Sequence, residues 1–338
     1  MAAAHMSETA ERALLQRLQR GPVSGDHLAA ELGLTRAAVW KRIEALRQAG
    51  IAVEAAPGRG YALAQPLDWL DDTHIRALLP LAVQPQLTAL DIVWSLDSTN
   101  SELLRRQTPD AGCAVLLAER QTGGRGRRGR AWASPLAAHI YLSLARCFDG
   151  GLARLGGLSL VAGVAVCEAL HALGFTQTGL KWPNDVVVTD GDGLRKLGGL
   201  LVEGGGEAGG AARAVIGVGL NVRMPAATAR NLDQPWVDMQ SLPHAPPSRN
   251  AVVAMLLQHL LPALEQFDAL GLAAFLPRFS ALDVLAGRPV CVHEASRVWH
   301  AQALGISEDG ALRVCNAAGE IRHVHAADVS VRAAKVAG

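Results

Sequence analysis

The chain has 338 residues, room for two or three domains that each bury a core of their own. Half of the residues are hydrophobic, and 32 Lys and Arg against 31 Asp and Glu leave a formal net charge of +1. No global field therefore draws the chain to nucleic acid or to a membrane, and any basic function has to be local.

Five cysteines without a C-x-x-C pair argue against a zinc site or a disulfide framework and fit a reducing cytoplasm. No apolar run free of charges and turn signals has membrane-spanning length. The opening MAAAHM lacks the basic and apolar regions of a signal peptide and is left out of the fold assignment.

Residues 9–63 read as one unit. A helix runs through ERALLQRLQRG to Gly21 and Pro22, and Ser24 caps SGDHLAAELG. After a tight LGLT turn, Thr35 caps TRAAVWKRIEALRQAG. Two helices so joined form a helix-turn-helix pattern. Val39, Ile43 and Leu46 point inward, and Arg36, Lys41, Arg42 and Arg47 point outward. IAVEAAPGRGYAL comes next as a two-stranded wing with Arg59 at its tip. The candidate DNA-contacting residues are Thr35, Arg36, Lys41, Arg42 and Arg59; a plain three-helix bundle with a basic surface is the alternative.

Residues 64–85 form a linker with a short helix at DDTHIRALL, and 86–272 mix strands and helices. DIVWSLDSTNSELLRR reads as strand, loop and helix, with Ser98 or Thr99 as its cap. GCAVLLAERQ and AAHIYLSLARCF read as strands, LGGLSLVAGVAVCEALHALG as a buried helix, and GLKWPNDVVV as one strand. RKLGGLLVEG returns as its hairpin partner, and RAVIGVGLNV is a further strand. NAVVAMLLQHLLPALEQF is an amphipathic helix. Residues 223–249, rich in Pro and polar groups around Trp236, read as disorder or a lid. From about 283 to 333 short strands with Gly turns and no helix predict a small β-barrel.

GRGRRG at 124–129 fits the dinucleotide template G-x-G-x-x-G, with a strand before it and Asp149 about 20 residues beyond. The required crossover helix is missing, because RAWASPLAA is short and carries a proline. Arginines there would also oppose the positive end of a helix. Alternating Gly and Arg instead makes a loop of bidentate donors suited to polyphosphate, or a merely solvated basic turn. In KWPND, Pro183 holds Trp182 extended and Lys181 at a fixed place, where an ammonium meets a phosphate. Two cationic devices around one triphosphate suggest nucleotide activation.

In this order, GRGRRGR and KWPND, with DSTN (97–100), RKLGGLLVE (195–203) and GVGLNV (217–222), resemble the biotin protein ligases of the bifunctional type, biotin operon repressors with an N-terminal winged helix. The resemblance covers about 10–333. It implies an α+β chain: a winged helix-turn-helix, a central mixed α/β domain of the biotin/lipoate ligase type and a C-terminal SH3-like β-barrel. The implied reaction joins biotin and ATP, with Mg²⁺, into biotinyl-5′-AMP and moves biotin to one lysine of biotin carboxyl carrier protein. Operator DNA and a homodimer promoted by biotinyl-5′-AMP are the other implied partners, in the cytoplasm and without a membrane.

By the same resemblance Lys181, Arg125 and Arg127 are catalytic, and Ser98, Thr99, Asn100, Gln121, Arg125, Gly126, Arg127 and Lys181 bind biotin. DSTN is otherwise an ordinary helix cap. Arg127, Arg128, Trp132, Lys181, Asn184, Asn221 and Arg332 surround the ATP or adenylate, and 223–249 lies over the adenine. No protein motif for a metal ion is present. A lipoate or octanoate ligase, and a DNA-binding sensor that binds an acid without catalysis, are the rival readings.

Overall fold

A computed structural model describes residues 2–56, 58–191, 193–206, 211–294, 297–326 and 330–333. The N-terminal unit is α1 (Ala2–Gln19), α2 (Gly25–Glu31), α3 (Arg36–Gln48) and the antiparallel pair β1 (Val53–Ala56) and β2 (Gly60–Leu63). Ser24 and Thr35 cap α2 and α3, their hydroxyls accepting from the His27 and Ala38 N–H groups. The helix begins earlier than the sequence assignment took it: α1 starts at Ala2, and alanine is the strongest helix former.

α1 is fastened to the linker and the central domain. Glu11 pairs with Arg120 at 3.0 Å and accepts from Trp94 Nε1 at 3.2 Å. Trp69 donates to Gln19 at 2.7 Å and lies against Trp94, ring centroids 5.2 Å apart. Leu136 and Ala137 of the central domain share one buried cluster with Leu14, Leu15 and Leu18.

The linker carries α4 (Asp72–Leu78), capped by Asp71. It is pinned by a buried charge pair: Arg249 donates to Glu119 at 2.7 Å and to the His139 carbonyl, while the other Glu119 oxygen accepts from Leu70 N–H.

In the central domain β3 (Leu87–Leu96), α5 (Thr99–Arg105), β4 (Cys113–Gln121), β5 (Ile140–Phe148) and α6 (Leu158–Ala172) precede β6 (Thr178–Lys181), β7 (Asp185–Asp190), β8 (Gly193–Gly206) and β9 (Ala212–Leu220). After them come α7 (Ala226–Ala229), α8 (Arg249–Leu270) and α9 (Leu276–Leu282). The seven strands form one sheet in the order β3-β4-β5-β9-β8-β7-β6. Only β3 and β4 are parallel. β5 returns antiparallel to β4, so the glycines after β4 open no parallel crossover and the dinucleotide template fails on topology.

α6 and α8 bury one face of the sheet in the main core. Residues 152–172 are long and apolar enough to cross a membrane by composition, but α6 is the buried centre of this fold. α5 packs on the opposite face through Leu103 against Leu116, Ala145 and Val215.

One expectation needs correction, one alternative is decided and one unassigned stretch gains a helix. GLKWPNDVVV is two strands, β6 and β7, paired Lys181 to Asp185 across a tight turn with a cis Trp182–Pro183 bond. Of the two alternatives for residues 223–249, disorder is set aside: they carry α7, bury Val237 and Met239, and are tied by backbone bonds to Lys196, Asn221 and Val222. Residues 276–282, which fall between the expected central and C-terminal domains, are helical as α9, with Phe279 buried. The C-terminal part holds β10 (Pro289–His293), β11 (Val298–Ile306), β12 (Leu312–Cys315), β13 (Ile321–Val324) and β14 (Ser330–Ala333) in one antiparallel sheet, order β13-β12-β11-β10-β14.

Candidate functional site

On the α5 face, the middle of the sheet is lined by small residues. Ser143 on β5 stands opposite Gly217 on β9, and Gly219 lies one step further along that face. A Cβ on Gly217 would lie 2.3 Å from Asn100 Oδ1, and one on Gly219 would lie 2.6 Å from the Trp132 ring. Glycine is required at both because a side chain and an indole lie directly on the sheet. The result is a polar trough between α5 and the segment after β4.

One end of the trough is a closed hydrogen-bond net. Ser98 caps α5, accepting from Ser101 N–H. Gln121 Oε1 accepts from Thr99 N–H at 2.9 Å and from the Thr99 hydroxyl at 3.2 Å, and Gln121 Nε2 donates to Ser134 at 3.2 Å. Ser143 donates its one proton to Asn100 Oδ1 at 2.6 Å, since an amide oxygen can only accept, and its Oγ lies 2.7 Å from Thr99 Oγ1. Asn100 Nδ2 donates to Glu203 at 2.8 Å and to the Leu201 carbonyl at 3.1 Å. Ser98, Thr99 and Asn100 are buried, so DSTN is more than a helix cap: it presents fixed hydroxyl and amide groups inside the fold.

The arginine loop closes the trough. Trp132 N–H donates to Gly124 O at 2.8 Å and Gly126 N–H to Arg130 O at 2.7 Å, making a narrow hairpin. Its tip holds two consecutive left-handed residues, Arg128 (φ 57°) and Gly129 (φ 69°). That is the backbone of the tightest hairpin turns and suits Gly129 better than Arg128. Arg125 pairs with Glu203 at 2.8 Å and donates to Ser101. Arg127 donates to Asn184 Oδ1 at 3.2 Å and to the Ala326 carbonyl. Burial draws the Arg127 pKa down, while Asp185 nearby works against that. Arg128 and Arg130 are exposed.

At the other end Asp185 is shared by two ammonium groups, Lys196 Nζ at 2.7 Å and Lys181 Nζ at 3.5 Å. Burial pushes the Asp185 carboxyl up, but Lys196 and Lys181 outweigh it and hold it below the usual range. Lys196 also sits over the Trp132 ring, 5.4 Å from its centroid. Trp132 Nε1 is shielded and has no hydrogen-bond partner among the described residues. Asn184 donates to Leu200 O at 2.7 Å, and Asn221 to the carbonyls of Val237 (3.2 Å) and Lys196 (3.4 Å), binding the 235–240 segment to the sheet.

The residues expected from the sequence therefore converge: Ser98, Thr99, Asn100, Gln121, Arg125 and Gly126 at one end, Arg127, Trp132, Lys181, Asn184 and Asn221 at the other. Arg332 lies on β14 opposite Cys291, and its side chain is outside the described part. Sequence reasoning missed Lys196, Ser143, Ser134 and Glu203 and gave Asp185 no role. Among these, Lys196 and Glu203 lie inside RKLGGLLVE, and a second lysine in a motif was the available signal.

In the N-terminal unit Thr35, Lys41 and Arg59 are exposed, and Arg36 is exposed beside Asp26 at 3.6 Å. Arg42 is partly buried. Arg47 is a structural pin, donating to Glu44 at 2.5 Å and to the Val53 carbonyl at 2.9 Å, which fixes the wing to α3.

Residues 11–62 match a helix-turn-helix domain family, 93–221 the biotin/lipoate A/B protein ligase family and 286–332 the biotin protein ligase C-terminal domain. The bifunctional ligase/repressor BirA of Escherichia coli strain K12 is 38% identical, over 92% of this chain and 94% of that one. The Bacillus subtilis protein of the same name is 28% identical over 91% and 94%. The biotin--[acetyl-CoA-carboxylase] ligase of Mycobacterium tuberculosis is 40% identical over 51% of this chain and 62% of its own. Among solved structures, the Aquifex aeolicus biotin protein ligase in complex with biotin and ATP superposes with a TM-score of 0.60 at 24% identity, over 73% of this chain and all of that one, a likeness of fold.

Proposed function

This chain belongs to the bifunctional ligase/repressor family of biotin protein ligases, and from that premise we infer the work of each part. The central domain joins biotin to ATP as biotinyl-5′-AMP, releasing pyrophosphate, and passes biotin to a lysine of biotin carboxyl carrier protein. The winged helix makes the same chain a biotin-responsive repressor.

The chemistry sets the demands on the site. The biotin carboxylate attacks the α-phosphorus of ATP, so the repulsion of two anions has to be screened in a site shielded from water. Lys181 and Lys196, sharing Asp185, supply two ammonium groups for this. Arg127 holds the acyl phosphate, with Arg125 and Gly126 closing over biotin. Thr99, Asn100, Gln121 and Ser98 offer the mixed donors and acceptors that a neutral cyclic urea needs. Trp132, Asn184 and Asn221 border the adenylate, and Arg128, at the loop tip, and Arg332, on β14, are assigned to the phosphates. Mg²⁺ arrives as MgATP, held chiefly by phosphate oxygens. The observation that carries this reading is the Arg127–Asn184 hydrogen bond, which joins the arginine loop to the lysine-bearing hairpin over one trough.

The test is to mix the full chain with a carrier domain, MgATP and either biotin or lipoate, and weigh the carrier. A gain of one biotin is expected. A gain with lipoate alone, or none with either, would overturn the assignment.

Thr35, Arg36, Lys41, Arg42 and Arg59 are assigned to operator DNA, with phosphate contacts dominating affinity. The protein acts on DNA as a homodimer that biotinyl-5′-AMP promotes. Its free cysteines suit the cytoplasm.

A further inference from the structure

α3 carries an exposed tryptophan that the ligase chemistry does not use. Trp40 is 55% exposed, although its neighbours Val39 and Ile43 are buried. Large aromatics usually serve a domain of this size from its core. Trp40 sits one turn after Arg36 and next to Lys41, both exposed, in the half of α3 that begins at the Thr35 cap. Glu44, one turn further on, is neutralised by Arg47 at 2.5 Å. The indole therefore shares the exposed surface of α3 with Arg36, one turn before it, and Lys41, and the wing adds a third exposed cation, Arg59, to the same unit.

A flat apolar side chain on a helix whose other exposed side chains include cations fits one partner well, duplex DNA entered through the major groove. There the N-terminal part of a second helix reaches base edges while basic side chains hold phosphates. The apolar feature in that groove is the thymine 5-methyl group. We propose that Trp40 is the base-reading residue of α3, packing its indole on a thymine methyl in each half-site, with Arg36 and Lys41 holding the flanking phosphates. This deepens the DNA-binding assignment of the winged helix and rests on it.

The experiment selects binding sequences from a random duplex pool with the full chain, biotin and MgATP, and then replaces single thymines of the selected site by uracil. Uracil lacks only the methyl group. For the wild type, one thymine per half-site should lose about fourfold in affinity on replacement, the worth of one buried methyl group. Trp40→Ala should bind thymine and uracil duplexes equally, keep the wild-type salt dependence and transfer biotin at the wild-type rate. Lys41→Ala should instead lower the salt slope and keep the thymine preference. Trp40→Ala that still distinguishes thymine from uracil, or that changes only self-association, would overturn the role of Trp40. A wild type that enriches no sequence would overturn the DNA-binding assignment beneath it.

Discussion

Gly217→Ala is a test of the trough that can be worked from distances. The added Cβ would come within 2.3 Å of Asn100 Oδ1, far inside contact distance. Asn100 cannot swing aside freely, because Ser143, Glu203 and the Leu201 carbonyl hold it at 2.6, 2.8 and 3.1 Å. Displacing it breaks three hydrogen bonds, each worth about 1 kcal/mol net and more for the one to a carboxylate. Replacing a strand glycine by alanine returns at most about 1 kcal/mol. The clash wins by about 2–3 kcal/mol. Urea unfolding should register that loss. Biotin titration calorimetry should show affinity reduced by about 30-fold, about 2 kcal/mol, if Asn100 has the place at the ureido end proposed for it. Adding Asn100→Ser should restore stability without restoring affinity. A Gly217→Ala protein that binds biotin within twofold of wild type at unchanged stability would refute the packing argument.

Other outcomes rest on the same geometry. Lys196→Ala and Lys181→Ala should each slow pyrophosphate release in the adenylation step by about 100-fold or more; a wild-type rate for either removes that lysine from the screening role. Arg127→Gly should release biotinyl-5′-AMP before transfer, seen as stray biotin on lysines of an added bystander protein, and clean labelling of the carrier alone would count against it. Burial keeps the His139 imidazole neutral, its pKa lowered from 6.5 to about 3. The unfolded chain takes up that proton below pH 6.5 and the folded chain does not, so the stability contribution is complete above pH 6.5 and falls as pH drops toward 3. The slope is about 1.4 kcal/mol per pH unit for one group. His139→Gln should flatten the acid side of the stability profile by that amount, and an unchanged slope in urea unfolding would refute the neutral assignment.

Much of the local structure was legible because it depends on neighbours in sequence. Ser24, Thr35 and Ser98 cap their helices with side chains that reach only three residues on. The continuous apolar run within GCAVLLAERQ, which marks a strand buried on both faces, is likewise local. KWPND was read as one strand because Pro183 favours extended backbone at Trp182; the antiparallel pairing of Lys181 with Asp185, and hence the turn, depends on β8 lying beside β7. Arg47 was placed with the outward cations, since a helical wheel cannot show that β1 offers its Val53 carbonyl. The site residues that were missed come together through the sheet. Lys196 is 15 positions from Lys181, and only Asp185, between two strands, reveals that they share one counter-ion. Ser143 and Glu203 meet Asn100 from β5 and β8, a proximity that strand order alone creates.

The anchoring of α1 bears on how mutations in this protein sort. Glu11 is held by Arg120, the residue immediately before Gln121 in the trough, and by Trp94. Leu136 and Ala137, a few positions beyond Trp132, finish the hydrophobic cluster of the N-terminal helices. A lesion in the first helix thus leaves an unpaired guanidinium and bare apolar surface beside the ligase site, while a lesion at Arg120 loosens the part that meets DNA. In genetic terms, the two activities do not occupy separate stretches of the chain. Alleles isolated for lost regulation and alleles isolated for poor biotin transfer should overlap along this seam, and few of those that overlap need touch either DNA or biotin.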